Sequence, residues 1–580
     1  MYANKLIKVL CVVFVLFSLT AKAQLVPLKT TNYPIPATGD VIYVAPEDAT
    51  VPGSATNTGT SISSPWTLSR AFLDAPTDAT VILRGGEYRS VNQEKIKNKI
   101  TIQAYPGEKP WIKGSEVVTE WTKLATSEVW VHNIWTFGFP NNGPPEDIKK
   151  ANPLADNRDM VFVDNQSLNQ VDTLSKVGSG KFYVDYAAKK IYIGTNPATG
   201  RVESTRYASP LMRKNPAGGP EIKVPNNTII KGIGFTHFAD AGLEAVCSEG
   251  LHLEDNTFAW NGEYGAKLVA PNSIFKDNTC AYNGKAGLSG NNLKSAIVED
   301  NHCYKNNIEN YAKTWGAAGV KVVATGYMKL KNNLIEDNLA TGIWLDISAV
   351  GCEVSNNTVK KNAGFGIFAE LNGGPIIVGN LIIDNTNYGI ALSDTESAQI
   401  WNNTIVGKGL FVKDTKRQAV DAFENGTFNN WIRSNVEACS WITKNNVLNN
   451  NIVVTNALVW MENTAPSSHL QVTGCDFNGY YRTSIDNDAN IYKWNKINYT
   501  ALNNFRAAVS GYEINSIAAY APSANPFFSD ATYTLKASSP AIKAGTPLPA
   551  NIATLLGLPS GVAVDMGAIQ TGNRGAFFGR

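Results

Sequence analysis

Residues 342 to 370 state one phrase twice: Gly342-Ile-Trp-Leu-Asp346 and, 24 positions on, Gly366-Ile-Phe-Ala-Glu370. A β-strand sends successive side chains to opposite faces. If both phrases are strands, Ile343, Leu345, Ile367 and Ala369 share one face, and Trp344, Asp346, Phe368 and Glu370 share the other. The apolar set reads as a core stripe, and the other set as an outer surface carrying two carboxylates at equivalent positions.

The phrase belongs to a longer repeat. Asparagine recurs at 256, 278, 301, 333, 357, 380 and 403, in steps of 22, 23, 32, 24, 23 and 23. A second asparagine column runs five residues behind, at 261, 283, 306, 338, 362 and 385. Glycine follows four residues later at 265, 287, 342, 366 and 389; Gly242 opens the series and an insertion displaces Gly319. Periods of this length mark solenoids. Stacked asparagines hydrogen-bond to their copies in neighbouring coils, and Gly and Asn suit tight corners. The residue after each column glycine is apolar throughout (Leu243, Ala266, Leu288, Val320, Ile343, Ile367, Ile390), as is the residue two beyond the first asparagine column, from Phe258 and Cys280 to Ile405. Coils this short, with inward stripes of period two, predict an all-β parallel β-helix, right-handed by the usual hand of parallel crossovers.

Around this core the chain divides into four parts. Lys5 and Lys8, an apolar run from Val9 to Leu19 and Ala21-Lys-Ala23 read as a secretory leader over 1–23, too short to span a bilayer. The mature chain is therefore expected in the periplasm or outside the cell. Residues 24–115, with short β-runs and one amphipathic helix after Trp66, read as an N-terminal cap and first coils, which cover an otherwise open edge. Residues 116–213 change to aromatic-rich β-runs and read as an inserted small β-sandwich; the remainder, 214–580, reads as the main β-helix with a C-terminal cap.

Composition removes several functional classes. With 43% hydrophobic residues over 580 positions the chain is no disordered segment. A net charge of +2 leaves no basic footprint for nucleic acid, and no stretch predicts membrane insertion. The six cysteines of the mature chain contain no C-x-x-C pair, and the five histidines show no metal-ligand spacing. Cys280 and Cys303 fall on the inward column and read as small core residues.

On the outward face, Lys321, Trp344, Asp346, Phe368 and Glu370 form a contiguous patch across three coils. The 32-residue step adds about nine residues within 307–318, carrying Asn310, Tyr311, Lys313 and Trp315, immediately before the Asp346 coil. Insertions in a repeat map to loops on one face, often the binding face. Like charges directly opposite each other destabilise a sheet, so the stacked carboxylates imply either a proton on one or a cation between them. Strands in a sheet stand roughly 4.8 Å apart, close to the roughly 5 Å separation in retaining glycosidases. The proton reading thus gives glycoside hydrolysis with no cofactor, Trp344, Phe368 and Trp315 offering platforms for an oligosaccharide or polysaccharide. The cation reading gives a polysaccharide lyase, with Ca²⁺ on Asp346 and Glu370 and Lys321 as base. A third reading is a non-catalytic carbohydrate-binding solenoid.

Several phrases also carry a family resemblance: the Tyr43-Val-Ala-Pro46 opening, the β-rich insert, Gly319-Val-Lys321, the two phrases ending in Asp346 and Glu370, and the closing Ser539-Pro-Ala-Ile542. Together they resemble the β-helix glycoside hydrolases of family 120, which include retaining β-xylosidases with a small Ig-like domain inserted in the solenoid. The resemblance implies Asp346 as nucleophile and Glu370 as acid/base, with Lys321 and the Trp315 loop shaping the sugar site. It implies glycans of plant or algal origin as substrate. The family pattern would place an acidic residue between Trp315 and Lys321, where this chain reads Gly316-Ala-Ala-Gly-Val320.

Overall fold

The computed structural model describes residues 26–89, 91–141, 152–211, 221–415, 439–455, 459–461, 470–483, 492–530 and 532–571. The leader expected over 1–23 and the boundary expected at 213/214 lie outside the described residues.

Three long sheets form the body, two of 13 strands and one of 11. Successive coils contribute one strand to each, so neighbours within a sheet are parallel; the pairing of Tyr492–Trp494 with Ile497–Tyr499 in the third sheet is antiparallel. The first sheet runs from Val41–Val44 to Val472–Asp476, and the second from Gly86–Tyr88 to Ile517–Tyr520. The third begins at Ala241–Val246 and carries the strands Thr341–Asp346 and Ile367–Glu370. This is the expected parallel β-helix. Its inward columns are buried: Leu243, Ala266, Leu288, Ile343 and Ile367 on one sheet, and Phe258, Cys280, Cys303, Ile335 and Val359 on another, join a single core. Cys280 and Cys303 sit side by side as unpaired thiols.

Both asparagine columns form ladders inside the corners. Each side-chain oxygen accepts from the backbone N–H and the amide of the preceding coil's asparagine; Asn306 N and Nδ2 lie 3.1 and 2.9 Å from Asn338 Oδ1. Each amide also donates to a backbone carbonyl, as Asn338 Nδ2 does to Cys303 O at 3.0 Å. Polar atoms that a buried corner would orphan are thereby satisfied coil by coil. The first ladder continues past Asn403, through Asn451 and Asn478, and ends where Asn478 N meets Ser516 Oγ at 2.8 Å.

The glycine column has a different cause from the expected one. The left-handed corners fall on the residues just before the asparagines, among them Asp255, Trp260, Asp277, Tyr282, Asp337 and Lys361. The column glycines recur at one position of the coil where space is missing: a Cβ on Gly342 would stand 2.7 Å from Gly366 O and 2.8 Å from Asn362 Nδ2.

Between Pro110–Lys113 and Ile229–Lys231 the chain leaves the solenoid and forms two small sheets. Val161, Val163 and Val202 of one share a core with Phe182, Val184, Ile191 and Ile193 of the other. Glu203 ties them to the solenoid. It is fully buried and pairs with Lys113 at 2.8 Å and Arg89 at 2.9 Å. Burial works to raise its pKa, but bonds from His237 and Arg89 outweigh it and hold the carboxyl far below the usual range. Among the described residues no helix is long and apolar enough to cross a membrane.

The ladder generates a stability prediction. Asn338→Ala leaves the Asn306 backbone N–H unpaired in a dry corner and removes one bond each from the Asn306 amide and the Cys303 carbonyl, and an orphaned buried group costs about 1–3 kcal/mol. The urea midpoint should fall far more than for alanine at the exposed, helical Asn504; equal shifts would show that the ladder is dispensable.

Candidate active site

Register on the third sheet assembles the outward patch. Lys267, Ser289, Lys321, Trp344 and Phe368 pair in succession. Val323 pairs with Asp346, and Leu345 pairs with Ala369, so Asp346 and Glu370 follow on adjacent rungs of the same face. Ser289 is the small member of its column, set between two lysines. Above it opens a cavity of about 310 Å³, bounded by Tyr264, Lys267, Lys285, Asn291, Lys321, Asp346 and, from the insertion, Trp315.

Lys321 organises the inner wall. Its ammonium lies 2.9 Å from Asp346 Oδ2, donates to the Trp315 carbonyl, and stands 3.5 Å from the centroid of the Trp344 ring. The other carboxylate oxygen of Asp346 accepts from Ile347 N at 2.8 Å. Asp346 therefore has a counter-charge in the chain itself, a lysine one coil earlier.

Of the residues read from sequence, the structure brings Lys321, Asp346 and Trp315 to the cavity wall. Trp315 is 53% exposed and forms an open rim. Trp344 is corrected: at 3% exposure, with Lys321 over one face and Phe368 beside it, its ring is no platform for a sugar. Phe368 is half-buried between Trp344 and Phe365 and lies outside the cavity wall. Asn310, which the sequence offers with the insertion as a substrate-binding residue, sits exposed in a left-handed turn, bonded through its N–H to Asn307 O, and is not among the residues that bound the cavity. Glu370, half-buried, stands one rung beyond the wall.

Five wall residues with polar side chains escaped the sequence reading as site residues: Tyr264, Lys267, Lys285, Ser289 and Asn291. Lys267 and Ser289 occupy the outward column two residues after the glycines, and Asn291 the one four residues after. Tyr264 and Lys285 lie at the corner, ahead of the glycine register. Lys267 pairs with Glu244 at 3.2 Å; burial lowers its pKa, but Glu244, Tyr264 and Glu263 outweigh burial and keep it raised. The almost fully buried Lys285 lies 3.7 Å from Glu263 and 4.9 Å from the Tyr311 ring. Asn291 Oδ1 is buried and has no hydrogen-bond partner among the described residues. The wall thus presents three ammonium groups, an amide acceptor and a serine, with Asp346 as its carboxylate.

A family model described as a right handed beta helix region matches residues 241–405, which agrees with the expected hand. No curated protein matches the sequence. Among solved structures, the complex of XylC with xylose is 17% identical, covering 79% of this chain and 86% of that one with a TM-score of 0.58. A structure described as a glycoside hydrolase is 12% identical over 65% and 95% of the two chains, TM-score 0.42. Pectate lyase Pel9A is 14% identical over 92% and 97%, TM-score 0.39. At these identities the likeness to XylC is one of fold.

In the insertion loop, burial of its carboxyl pushes the Glu309 pKa up to about 7. A carboxyl whose folded value exceeds its unfolded one holds its proton more tightly when folded. Its contribution to stability is full below the ordinary value of 4.5 and is lost as pH rises to about 7. Glu309→Gln cannot ionise, so the variant should melt above wild type at about pH 8 and match it at about pH 4; parallel melting curves across that range would contradict the assignment.

Proposed function

We propose that the protein is an exported retaining glycoside hydrolase, with Asp346 as nucleophile and Glu370 as acid/base. The observation that carries this reading is the carboxylate pair on adjacent rungs, one member in a cavity and the other just outside it. One rung is roughly 4.8 Å, near the roughly 5–5.5 Å of retaining enzymes and below the spacing that inversion requires. The cavity extends from Asp346 toward Lys267, away from Glu370. A glycosyl unit seated there would meet Asp346 at its anomeric carbon, and its leaving group would lie over Glu370.

In the first step an Asp346 oxygen attacks the anomeric carbon while Glu370 gives its proton to the departing oxygen, breaking the glycosidic bond. In the second, Glu370 takes a proton from water, whose oxygen displaces Asp346 and releases the sugar with retained configuration. Lys321 supplies the counter-charge of Asp346 and fixes its direction. Lys267, Lys285, Ser289 and Asn291 offer donors and an acceptor for sugar hydroxyls, and Trp315 an apolar face at the rim. The fold-level likeness to a xylose complex makes β-xylosides the first substrates to try.

The lyase alternative fits this geometry less well. Lys321 as base would have to be neutral, yet a carboxylate, a carbonyl and an aromatic face, all partners of a cation, surround it. Calcium at Asp346 would face that ammonium at close range, so these residues do not fit the ion.

Aryl glycosides test the reading. Asp346→Ala should reduce turnover to background. Glu370→Ala should lose about 10²–10⁴-fold on poor leaving groups, less on dinitrophenyl glycosides, with azide restoring rate and yielding a glycosyl azide of retained configuration. Unsaturated uronide products, abolished by chelator, would establish the lyase; glycan binding without turnover would establish the binding solenoid.

A further inference from the structure

The segment 152–158, which joins the insert strands Trp130–His132 and Val161–Val163, lies against the 307–318 insertion loop. Asn152 Nδ2 donates to Glu309 O at 2.9 Å, at the start of the insertion loop. Ala155 is fully buried in a cluster with Tyr311, Ala317 and Ala340. The fully buried Tyr311 donates its hydroxyl to Asp156 Oδ1 at 3.1 Å. Arg158 pairs with Asp240, and its side-chain stem would contact a Cβ added at Gly262. One short stretch outside the solenoid thus grips the loop that carries Trp315.

The loop is held elsewhere as well. Asn307 clamps its root, accepting from Tyr311 N at 2.8 Å and donating to Tyr311 O at 3.1 Å, and Lys321 holds the Trp315 carbonyl at the far end. Tyr311 lies between these points, with its ring 4.9 Å from the Lys285 ammonium on the cavity wall. A tyrosine hydroxyl given to a carboxylate is among the stronger hydrogen bonds. Burial, followed by the charges of Glu263, Asp156 and Glu309, raises the Tyr311 pKa well above its ordinary value and keeps the hydroxyl a donor.

We propose that segment 152–158 is a brace of the substrate cavity, in which Asp156 positions Tyr311 and thereby the Trp315 rim and Lys285. The two-sheet insert is then a working part of the site and not a detachable sugar-binding accessory. Asp156 and Tyr311 are positioning residues; neither lines the cavity. The kinetic consequence rests on the glycosidase reading, whereas the structural consequence does not.

Hydrogen exchange on the full chain separates the two. Tyr311→Phe deletes only the hydroxyl, and Asp156→Asn keeps the side-chain shape. Each should speed exchange within 307–318 by on the order of tenfold, leaving strand 341–346 protected, and the double variant should match either single one. On a glycoside that the wild type turns over, both should raise KM by about the same factor with kcat nearly unchanged, and Asp156→Glu should restore part of the loss. Unchanged exchange in 307–318, uniform loosening of the solenoid, or additive effects in the double variant would each overturn the brace. If the wild type turns over no glycoside, the glycosidase reading fails, and the exchange result still decides the brace.

Discussion

The side-chain amide of one buried asparagine, bonded to the backbone and amide of the next coil, is the interaction on which the rest depends. A parallel coil must turn sharply, and each turn leaves backbone groups where water cannot reach them. The asparagine satisfies those groups and its neighbour at once, as Asn338 does between Asn306, Cys303 and Asn362. Glycine four residues later lets the chain lie close to the ladder; a Cβ at Gly319, Gly342 or Gly366 would fall within 2.9 Å of the asparagine amide. Ladder and glycine together lock the coils in register. A slip of one residue would reverse every side chain between core and surface, so the same lock keeps Asp346 and Glu370 on one face.

Stacking also dictates how charge is managed. Identical positions lie one rung apart, so a carboxylate on one coil is always near whatever its neighbours carry. On this face the answer varies by coil: Glu244 is met by Lys267, and Asp346 by Lys321. Lys321 reaches Asp346 diagonally across the rung, since its direct partner in register is Trp344, whose ring it covers. A paired ammonium lying on an indole is poorly disposed to act as a base and well disposed to orient a carboxylate. Trp344 consequently contributes support beneath the site instead of a surface for ligand.

How much of this was legible in the sequence follows from what repeats. The coil period, the inward stripes, the ladders to Asn403 and the shared face of Asp346 and Glu370 were all readable, because each residue type recurs at fixed spacing for a local physical reason. The cause of the glycine column was misread: corners that force positive φ suggested it, whereas those corners fall on Asp255, Trp260 and Lys361 and the glycines answer to close approach. The ladder beyond Asn403 was hidden by a 48-residue step to Asn451. Tyr264 and Lys285 were missed because corner residues face a cavity only when a loop from another coil closes over them. The contacts of Asp156 and Asn152 with the 307–318 loop join positions about 155 residues apart and leave no periodic trace.

A solenoid is a poor place for a pocket, since regular stacking yields flat faces. Here three departures from regularity coincide. Ser289 is small between Lys267 and Lys321, which notches the outward column. The extra residues of 307–318 raise a rim beside the notch, and residues outside the solenoid hold that rim in place. None of the three alone encloses a volume; the notch without the rim is a shallow groove, and the rim without its supports is a long exposed loop. Enclosure matters because fixed charges act most strongly where water is excluded. The coil bearing Asp346 lies directly after the insertion, so its carboxylate is the first on this face that the loop can shelter while Glu370, one rung on, keeps access to solvent.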